Sequence, residues 1–462
     1  MADKKQKNPL FYEKKTVWEK NPEERIEQAY AYARDYAKYL DACKTEREAV
    51  AESIRLAEAV GFRPYVFGAP MKAGDRFYYN NRDKSLYLFS IGSEDIQNGI
   101  RITASHIDSP RLDLKQVPVF EDNGMCYFKT HYYGGIRKYQ WLACPLALHG
   151  VVVLESGEVV NVVIGEDEND PVLYITDLLP HLAYAQNDKP LGKAFDPEKL
   201  NLLVGSRPME GEDSNAVKAT VLQYLYDRYG IKEEDFLSAE LSAVPAGKAR
   251  DMGLDRSMIC GYGHDDRVCA YPALTSFLAS CDETKHTTMC ILADKEETGS
   301  DGVTGMKSHL ILDLIVEIAH ALGGNEAQVR AASKCLSSDV AAVFDPSYPD
   351  VFEKRNSSIL GCGVSMCKFT GSKGKSGTSD ASAELVGWVR RCFNEAGVVW
   401  QTCELGKIEA GGGGTVAKFL ANHNIDTVDV GVGVLSMHAP YEVISKVDLY
   451  EAYRAFCAFY RY

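Results

Sequence analysis

The sequence predicts an α/β protein in which a mostly parallel sheet is interrupted by an inserted β-rich domain. After Arg250, short apolar runs alternate with helical patterns, which is typical of βαβ units. Residues 112–249 consist instead mainly of short β-rich runs. The 462-residue chain is also long for a single hydrophobic core. We therefore expect one domain made of residues 1–111 and 250–462, and an inserted domain made of residues 112–249.

The segment before the insertion predicts helices followed by strands. Asn21-Pro22-Glu23-Glu24 combines an N-cap residue, a first-turn proline and early acidic residues, so a helix is expected to start there. Thr45-x-x-Glu48 has the capping-box pattern of a second helix start. Three stretches with strand character follow, at residues 75–79, 85–91 and 100–104.

The remaining elements follow from the same signals. Strand-like apolar runs lie at residues 150–154, 159–164, 289–293 and 428–434. A helix is expected near residues 215–229. Ser445-x-x-Asp448 predicts the start of a last helix that carries Tyr and Phe residues on one face.

Charge and composition exclude several classes of function. The formal net charge of −14 argues against binding to nucleic acids or anionic membranes, because both require a basic surface. The first residues lack the apolar stretch of a secretory signal, and no run of about eighteen apolar residues is present. Thirteen cysteines are scattered without a C-x-x-C pair, which favours a reducing cytoplasm over a disulfide framework.

Several common catalytic motifs fail on inspection. Gly374-Lys375-Ser376 resembles the end of a phosphate-binding loop, but Phe369 occupies the position of its first glycine. The glycine run 411–414 does not extend to G-x-G-x-x-G, because Val416 interrupts it. G-x-S-x-G and H-E-x-x-H are both absent from the sequence, which argues against α/β-type serine hydrolases and H-E-x-x-H metalloproteases.

What remains is a set of His, Asp and Glu residues that each follow a predicted strand. Taken singly, each has an ordinary structural explanation, as a hydrogen-bonded histidine, a helix N-cap or a solvated acidic turn. Taken together, they offer the nitrogen and oxygen ligands that zinc, cobalt or manganese accept. A bridging carboxylate would hold two such ions about 3.5–4 Å apart. The set comprises His106, Asp265, Glu296, Glu297, Asp339 and His438.

The positions of the two glutamates and of a nearby aspartate suggest further roles. Glu296 and Glu297 are adjacent on a turn, so their side chains point in different directions and one can bind a metal while the other handles a proton. Asp108, two residues after His106, is placed to hold the imidazole as a supporting partner.

Five short motifs occur in order along the chain. They are Ser105-His106-Ile107-Asp108-Ser109-Pro110, Gly263-His264-Asp265-Asp266-Arg267, Lys295-Glu296-Glu297-Thr298-Gly299, Ser338-Asp339 and Ser436-Met437-His438. Together they resemble the aspartyl aminopeptidase family, the dinuclear zinc exopeptidases of the aminopeptidase I type, in its bacterial form. The resemblance spans nearly the whole chain.

The resemblance implies a fold, a reaction and an assembly. The fold is a phosphorylase/hydrolase-like catalytic domain with an inserted dimerisation domain, which would correspond to residues 112–249. The reaction is removal of the N-terminal residue from short peptides with a free N-terminus, with a preference for Asp or Glu. The family assembles as tetrahedral homo-dodecamers, whose active sites face an internal chamber.

The resemblance also assigns roles residue by residue. His106, Asp265 and Asp339 correspond to the ligands of one zinc ion, and Asp265, Glu297 and His438 to those of the other, with Asp265 as the bridge. Glu296 corresponds to the general base. Lys368 falls where the family has a substrate-contacting lysine, although the surrounding sequence departs from the pattern. His181 in Leu179-Pro180-His181-Leu182 resembles a histidine that reaches the active site of a neighbouring subunit; a turn histidine serving its own domain is the alternative.

Two other functions stay open at this stage. One is another dinuclear metallohydrolase on the same scaffold, such as a carboxypeptidase or an N-deacylase. The other is a catalytically inert shell or cargo protein, which predicts loss of ligand positions; all six positions of the set are present.

Overall fold

The computed structural model describes residues 8, 10–20 and 22–462. Asn21, the expected N-cap of the first long helix, lies outside the described residues. None of the described helices combines the length and apolar character that a membrane crossing requires. The helices in the described chain are α1 Val17–Lys20, α2 Glu23–Ala42, α3 Glu46–Glu58, α4 Tyr184–Asn187, α5 Leu191–Ala194, α6 Ala216–Tyr229, α7 His264–Ser280, α8 Leu310–Ala321, α9 Glu326–Ala332, α10 Ala383–Glu395, α11 Ala417–Asn422 and α12 Lys446–Arg461.

The strands fall into three stretches of the chain. The first stretch holds β1 Arg63–Pro64, β2 Arg76–Asn81, β3 Ser85–Ser90 and β4 Ile100–His106. The second holds β5 Arg111–Asp122, β6 Met125–Tyr133, β7 Pro145–Val153, β8 Val159–Ile164, β9 Leu173–Tyr174, β10 Leu202–Gly205 and β11 Ala239–Pro245. The third holds β12 Arg250–Met252, β13 Met258–Gly261, β14 Thr287–Ala293, β15 Lys334–Ser337, β16 Ala341–Ala342, β17 Val364–Cys367, β18 Gly371–Ser372, β19 Trp400–Thr402, β20 Gly412–Gly413, β21 Asp426–Gly431, β22 Gly433–Leu435 and β23 Glu442–Ser445.

A nine-stranded sheet forms the centre of the molecule, in the order β1-β2-β3-β14-β4-β15-β21-β17-β19. Its middle strands β14, β4, β15 and β21 are parallel neighbours. Consecutive side chains of a strand face opposite sides of a sheet, and here both sides are buried. In β3, Leu86 and Leu88 pack on one side with α2, α3, α7, α10 and α12, whereas Tyr87 and Phe89 pack on the other with α8, α9 and α11.

A second, seven-stranded sheet is antiparallel and contains β5 to β11, in the order β11-β5-β6-β10-β9-β7-β8. An additional pairing of β11 with β7 closes this sheet on itself. Its core is separate from that of the central sheet, and α6 contributes Val217 and Leu225 to it. The mixed α/β character expected from the sequence is therefore confirmed in outline.

A five-stranded sheet, β12-β13-β23-β22-β16, joins segments from the third stretch of the chain. The structure differs from two of the expectations drawn from the sequence. The apolar run 428–434 is divided into β21 and β22, which belong to different sheets. The capping box at Thr45 and Glu48 forms as expected, but Ser445 makes no side-chain cap for α12, and Asp448 instead accepts hydrogen bonds from the amides of Gly361 and Gly363.

Candidate metal centre

Three neighbouring parallel strands place acidic and imidazole side chains at one edge of the central sheet. β4 ends at His106, β14 leads into the turn that carries Glu296 and Glu297, and β15 leads into Asp339. Because β14, β4 and β15 run in the same direction, their carboxyl ends meet at the same edge, where open α/β sheets bind ligands.

Asp265 and His438 reach this edge from the five-stranded sheet. Asp265 follows β13 at the start of α7, and His438 follows β22. Glu442 holds the two segments together: its Oε2 accepts the amide of Asp265 at 3.0 Å, and its Oε1 accepts that of His438 at 2.7 Å. His438 has φ 65°, a conformation that non-glycine residues adopt rarely and often at functional sites.

Asp265 lies between the two histidines. Its Oδ1 is 3.2 Å from Nε2 of His106, and its Oδ2 is 3.2 Å from Nε2 of His438. Asp339 lies on the His106 side, with Oδ1 3.7 Å from Nε2, and Glu297 lies on the His438 side, with Oε1 3.5 Å from Nε2. These contacts define two half-sites, one around each histidine, that share the carboxylate of Asp265.

The other ring nitrogen of each histidine is held by an acceptor. Nδ1 of His106 is 3.0 Å from the carbonyl oxygen of Asp108 and 3.3 Å from its Oδ1. Nδ1 of His438 is 2.7 Å from the carbonyl oxygen of Gly135. A proton on Nδ1 satisfies these contacts and leaves the Nε2 lone pair directed at the carboxylates, which is the orientation of metal-binding histidines.

Asp108 also fixes the turn that carries the two glutamates. Its carboxylate oxygens accept the amides of Glu296 and Glu297, each at 3.2 Å, and the hydroxyl of Tyr133 donates to Oδ2 at 2.8 Å. Asp108 thus connects the orientation of His106 to the position of both glutamates.

The charges of this cluster are not balanced within the protein. Burial, followed by the charge of Asp339, raises the pKa of Glu296 to about 8. Burial and the neighbouring Asp265 raise the pKa of Glu297 well above its usual value. Burial alone would lower the pKa of His438, but its hydrogen bond to Asp265 raises it to about 10. The cluster therefore retains protons that a cation would displace.

The residues fit divalent metal ions. Oε1 of Glu297 and Oδ1 of Asp266 are buried without a hydrogen-bond partner among the described residues, which is costly for a carboxylate unless a cation is near. Ligand atoms of His106, Asp265 and Glu297 lie within 4.8 Å of one another, as do those of His106, Glu296 and Asp339. Imidazole and carboxylate ligands are those that zinc accepts.

All six members of the predicted set are brought together, but the two predicted substrate contacts are not. His106, Asp265, Glu296, Glu297, Asp339 and His438 line one cavity of about 420 Å³. His181 lies in the exposed turn Pro180–Leu182 and is not among the lining residues. Lys368 is paired with Asp380 at 2.6 Å and also lies outside the lining.

The structure adds site residues that the sequence did not suggest. Gly134 and Gly135 directly follow β6 of the second sheet, and a side chain at either position would crowd the cluster: a Cβ on Gly134 would lie 3.1 Å from Oε2 of Glu297, and one on Gly135 3.3 Å from Nδ1 of His438. Lys418 is the one lysine or arginine among the described residues that line the cavity. In the sequence, the Gly-Gly pair after β6 was the available signal for the close contacts at these two glycines. No sequence pattern pointed to Lys418.

Comparison with known proteins assigns the chain to a family. Residues 39–460 match the family model of the aminopeptidase I zinc metalloproteases (M18). The chain belongs to the M18 family. A probable M18 family aminopeptidase 1 of Clostridium acetobutylicum is 47% identical over 461 residues, covering 98% of this chain and 99% of that protein. The resemblance inferred from the motifs is thus confirmed.

Solved M18 structures share the fold. Aminopeptidase I from C. acetobutylicum aligns with a TM-score of 0.92 at 46% identity, covering 98% of this chain and 100% of that chain. The M18 aminopeptidase of Thermotoga maritima aligns with a TM-score of 0.92 at 41% identity, covering 97% and 99%. The S. cerevisiae mApe1 dodecamer aligns with a TM-score of 0.77 at 19% identity, covering 94% and 97%, which shows the fold alone. As an M18 member, the protein is a metal-dependent aminopeptidase of a zinc metalloprotease family.

Proposed function

We propose that this M18 aminopeptidase removes the N-terminal residue, preferably Asp or Glu, from short peptides with a free N-terminus, using two divalent metal ions. His106, Asp265 and Asp339 would hold one ion, and Asp265, Glu297 and His438 the other. Zinc is the expected metal, and cobalt or manganese suits the same ligands. The observation that carries the proposal is Asp265, whose two carboxylate oxygens each lie 3.2 Å from a different imidazole Nε2.

Glu296 acts as the general base and acid. When bound, divalent ions lower the pKa of water, polarise the scissile carbonyl and keep the neighbouring carboxylates ionised. The Glu296 carboxylate lies within 4.8 Å of the ligand atoms of His106 and Asp339, within reach of a water molecule held there. It takes the proton of that water as the oxygen attacks the carbonyl carbon and gives it to the leaving amine. The carboxylate of Asp108 keeps Glu296 in place by accepting the hydrogen bond of the Glu296 amide.

Lys418 supports the preference for acidic N-terminal residues. It lines the cavity, makes no ion pair in the described chain, and is the sole cation there besides the two histidines. Its Nζ lies beside Gly414, where a Cβ would come within 3.0 Å of it. An unpaired ammonium in a cavity wall is suited to bind a substrate carboxylate.

One experiment tests the reaction and the metals together. The purified protein is analysed for metal content and then assayed with aminoacyl substrates that carry Asp, Glu, Leu or Lys, with zinc, cobalt or manganese added. We expect two ions per chain and fastest release of Asp or Glu. Release only from N-blocked or C-terminal substrates would instead identify a deacylase or a carboxypeptidase. If the metal-loaded protein released nothing from any substrate, the result would favour the inert-shell hypothesis.

We also propose the larger organisation. Residues 1–111 and 250–462 would form the phosphorylase/hydrolase-like catalytic domain, and residues 112–249 the dimerisation domain of a tetrahedral homo-dodecamer in the cytoplasm. Support comes from the separate core of β5 to β11, from the exposed turn around His181, and from the dodecamer of the distant S. cerevisiae relative. Sedimentation velocity of the purified protein tests the assembly. We expect a dodecamer, and a monomer or dimer would contradict the proposal.

A further inference from the structure

A pair of cysteines lies in the wall of the catalytic cavity. Cys367 is the last residue of β17, and Cys403 directly follows β19. The two strands are parallel neighbours, with Met366 opposite Thr402, and the amide of Cys403 donates to the carbonyl of Met366 at 3.1 Å. The two cysteines are therefore the next opposing residues in the ladder.

The two sulfur atoms are close enough to react with each other. Their Sγ atoms lie 2.6 Å apart, and in the described chain no other two cysteines form such a contact. Adjacent strands are about 4.8 Å apart, which is within the Cα separation of about 4.4–6.8 Å that disulfides require. Bond formation thus needs little movement of the backbone.

The pair is accessible from the cavity and connected to its shape. Cys367 is partly exposed and lines the cavity of about 420 Å³, whereas Cys403 is buried behind it. Phe369 and Thr370 follow Cys367, and Glu404 and Leu405 follow Cys403; all four line the cavity. A covalent bond between the cysteines would tie together the two chain segments that form this wall.

We propose that Cys367 and Cys403 form an oxidisable dithiol, converted by hydrogen peroxide to a disulfide that restricts the catalytic cavity. The Cys367 sulfur attacks one peroxide oxygen and breaks the O–O bond, which yields a sulfenic acid and water. The Cys403 sulfur then attacks the Cys367 sulfur, the S–S bond forms, and the departing hydroxide takes the Cys403 proton as a second water. Two thiols lose two electrons and peroxide gains them.

Formation of the bond is tested without reference to activity. The metal-loaded protein is treated with hydrogen peroxide, free thiols are blocked with N-ethylmaleimide, and proteolytic peptides are analysed by mass spectrometry. We expect a cross-linked peptide that joins Cys367 to Cys403 to appear before oxidation of the other eleven cysteines, and to vanish after dithiothreitol. Peroxide doses that oxidise other cysteines without this cross-link would overturn the proposal.

The effect on turnover is measured separately and rests on the proposed function. We expect peroxide to lower the aminopeptidase rate about 10-fold, because the covalent bond limits the motion of the two segments that form the cavity wall, and dithiothreitol to restore it. Each variant is compared with its own untreated sample. Cys367→Ser should lose this sensitivity, and Cys362→Ser, a change at a nearby buried cysteine, should keep it. Equal, reversible inhibition of Cys367→Ser and wild type would refute control through this pair, even where the cross-link forms.

Discussion

Two groups of buried and half-buried charged side chains in this protein differ in how completely their charges are paired. The catalytic cluster, defined as the six predicted residues with Asp108 and Asp266, holds six carboxylates against two imidazoles, and two of its carboxylate oxygens have no hydrogen-bond partner among the described residues. The junction cluster, defined as Lys44, Glu48, His149 and Glu166, links α3 to the second sheet. There His149 contacts Glu48 at 2.8 Å and Glu166 at 3.1 Å, and Lys44 is 3.7 Å from Glu166.

The difference separates a site for ions from a structural contact. A buried carboxylate without a counter-charge is costly, so a cluster with surplus negative charge is stable only with protons or cations bound. In the junction cluster the cations are already supplied by Lys44 and His149. Variants that remove a group from one cluster, or from the cavity wall beside the catalytic cluster, should therefore affect different properties. We expect four such variants to differ as follows, from the largest effect to the smallest.

Glu296→Gln should cause the largest loss. The amide cannot accept the proton of water, so kcat should fall by at least about 100-fold, the lower range of general acid–base contributions. Metal content should stay at the wild-type value, because Glu296 is not proposed as a ligand. Glu404→Gln, which removes a carboxylate from the cavity wall outside the cluster, serves as the matched control. Turnover of Glu296→Gln within about 10-fold of wild type would exclude this residue as the base.

The main effect of Asp339→Ala should be a lower metal content. Loss of a carboxylate that lies near His106 should weaken metal binding by more than about 10- to 100-fold, the range for residues that only support a ligand. Dialysis against a graded chelator, followed by metal analysis, measures this. Asp380→Asn removes an exposed carboxylate that is paired with Lys368 and should leave metal content unchanged. Full occupancy in Asp339→Ala would contradict its assignment as a ligand.

Lys418→Met should change selectivity more than rate. A charge-assisted hydrogen bond contributes about 1.5–3 kcal/mol when buried, and partial exposure of Lys418 reduces this to about a 10-fold loss in kcat/KM. The loss should appear for Asp and Glu substrates and not for Leu. Lys368→Met, at the paired lysine outside the cavity lining, gives the comparison. A selective loss in Lys368→Met instead would place the substrate carboxylate at the position implied by the family resemblance.

His149→Gln should affect stability and leave metal content intact. Burial would lower the pKa of His149, but its hydrogen bonds to Glu166 and Glu48 raise it. A raised pKa in the folded state stabilises the protein fully below the unfolded value of about 6.5, and the contribution is lost as the pH rises through the folded value.

The free energy of unfolding should thus fall by about 1–3 kcal/mol in His149→Gln at about pH 6, and the difference from wild type should shrink towards about pH 9. Urea denaturation of both proteins at the two pH values measures it. A difference that grows with pH would show that His149 is held neutral in the folded protein.

Much of the fold and site followed from local sequence patterns. The strand that ends at His106, the capping box at Thr45 and the acidic turn after β14 were all predicted from neighbouring residues. Local patterns failed where tertiary contacts decide. Asp448 had the spacing of a capping residue, yet its carboxylate is used by two glycine amides 85 and 87 residues away.

The unpredicted parts of the site arise from long-range contacts. Gly135 accepts the hydrogen bond of His438 from 303 residues away, and Lys418 reaches the cavity only because α11 packs beside β21. Neither contact has a periodicity, a cap or a spacing that a single sequence can display. The role of each metal ligand stays a prediction until metals are measured.

Glu442 has a consequence for synthesis of the protein. Because its two oxygens accept the amides of Asp265 and His438, we expect the proposed metal centre to assemble only after residue 442 has been synthesised. We therefore expect a chain truncated before residue 442 to lack peptidase activity.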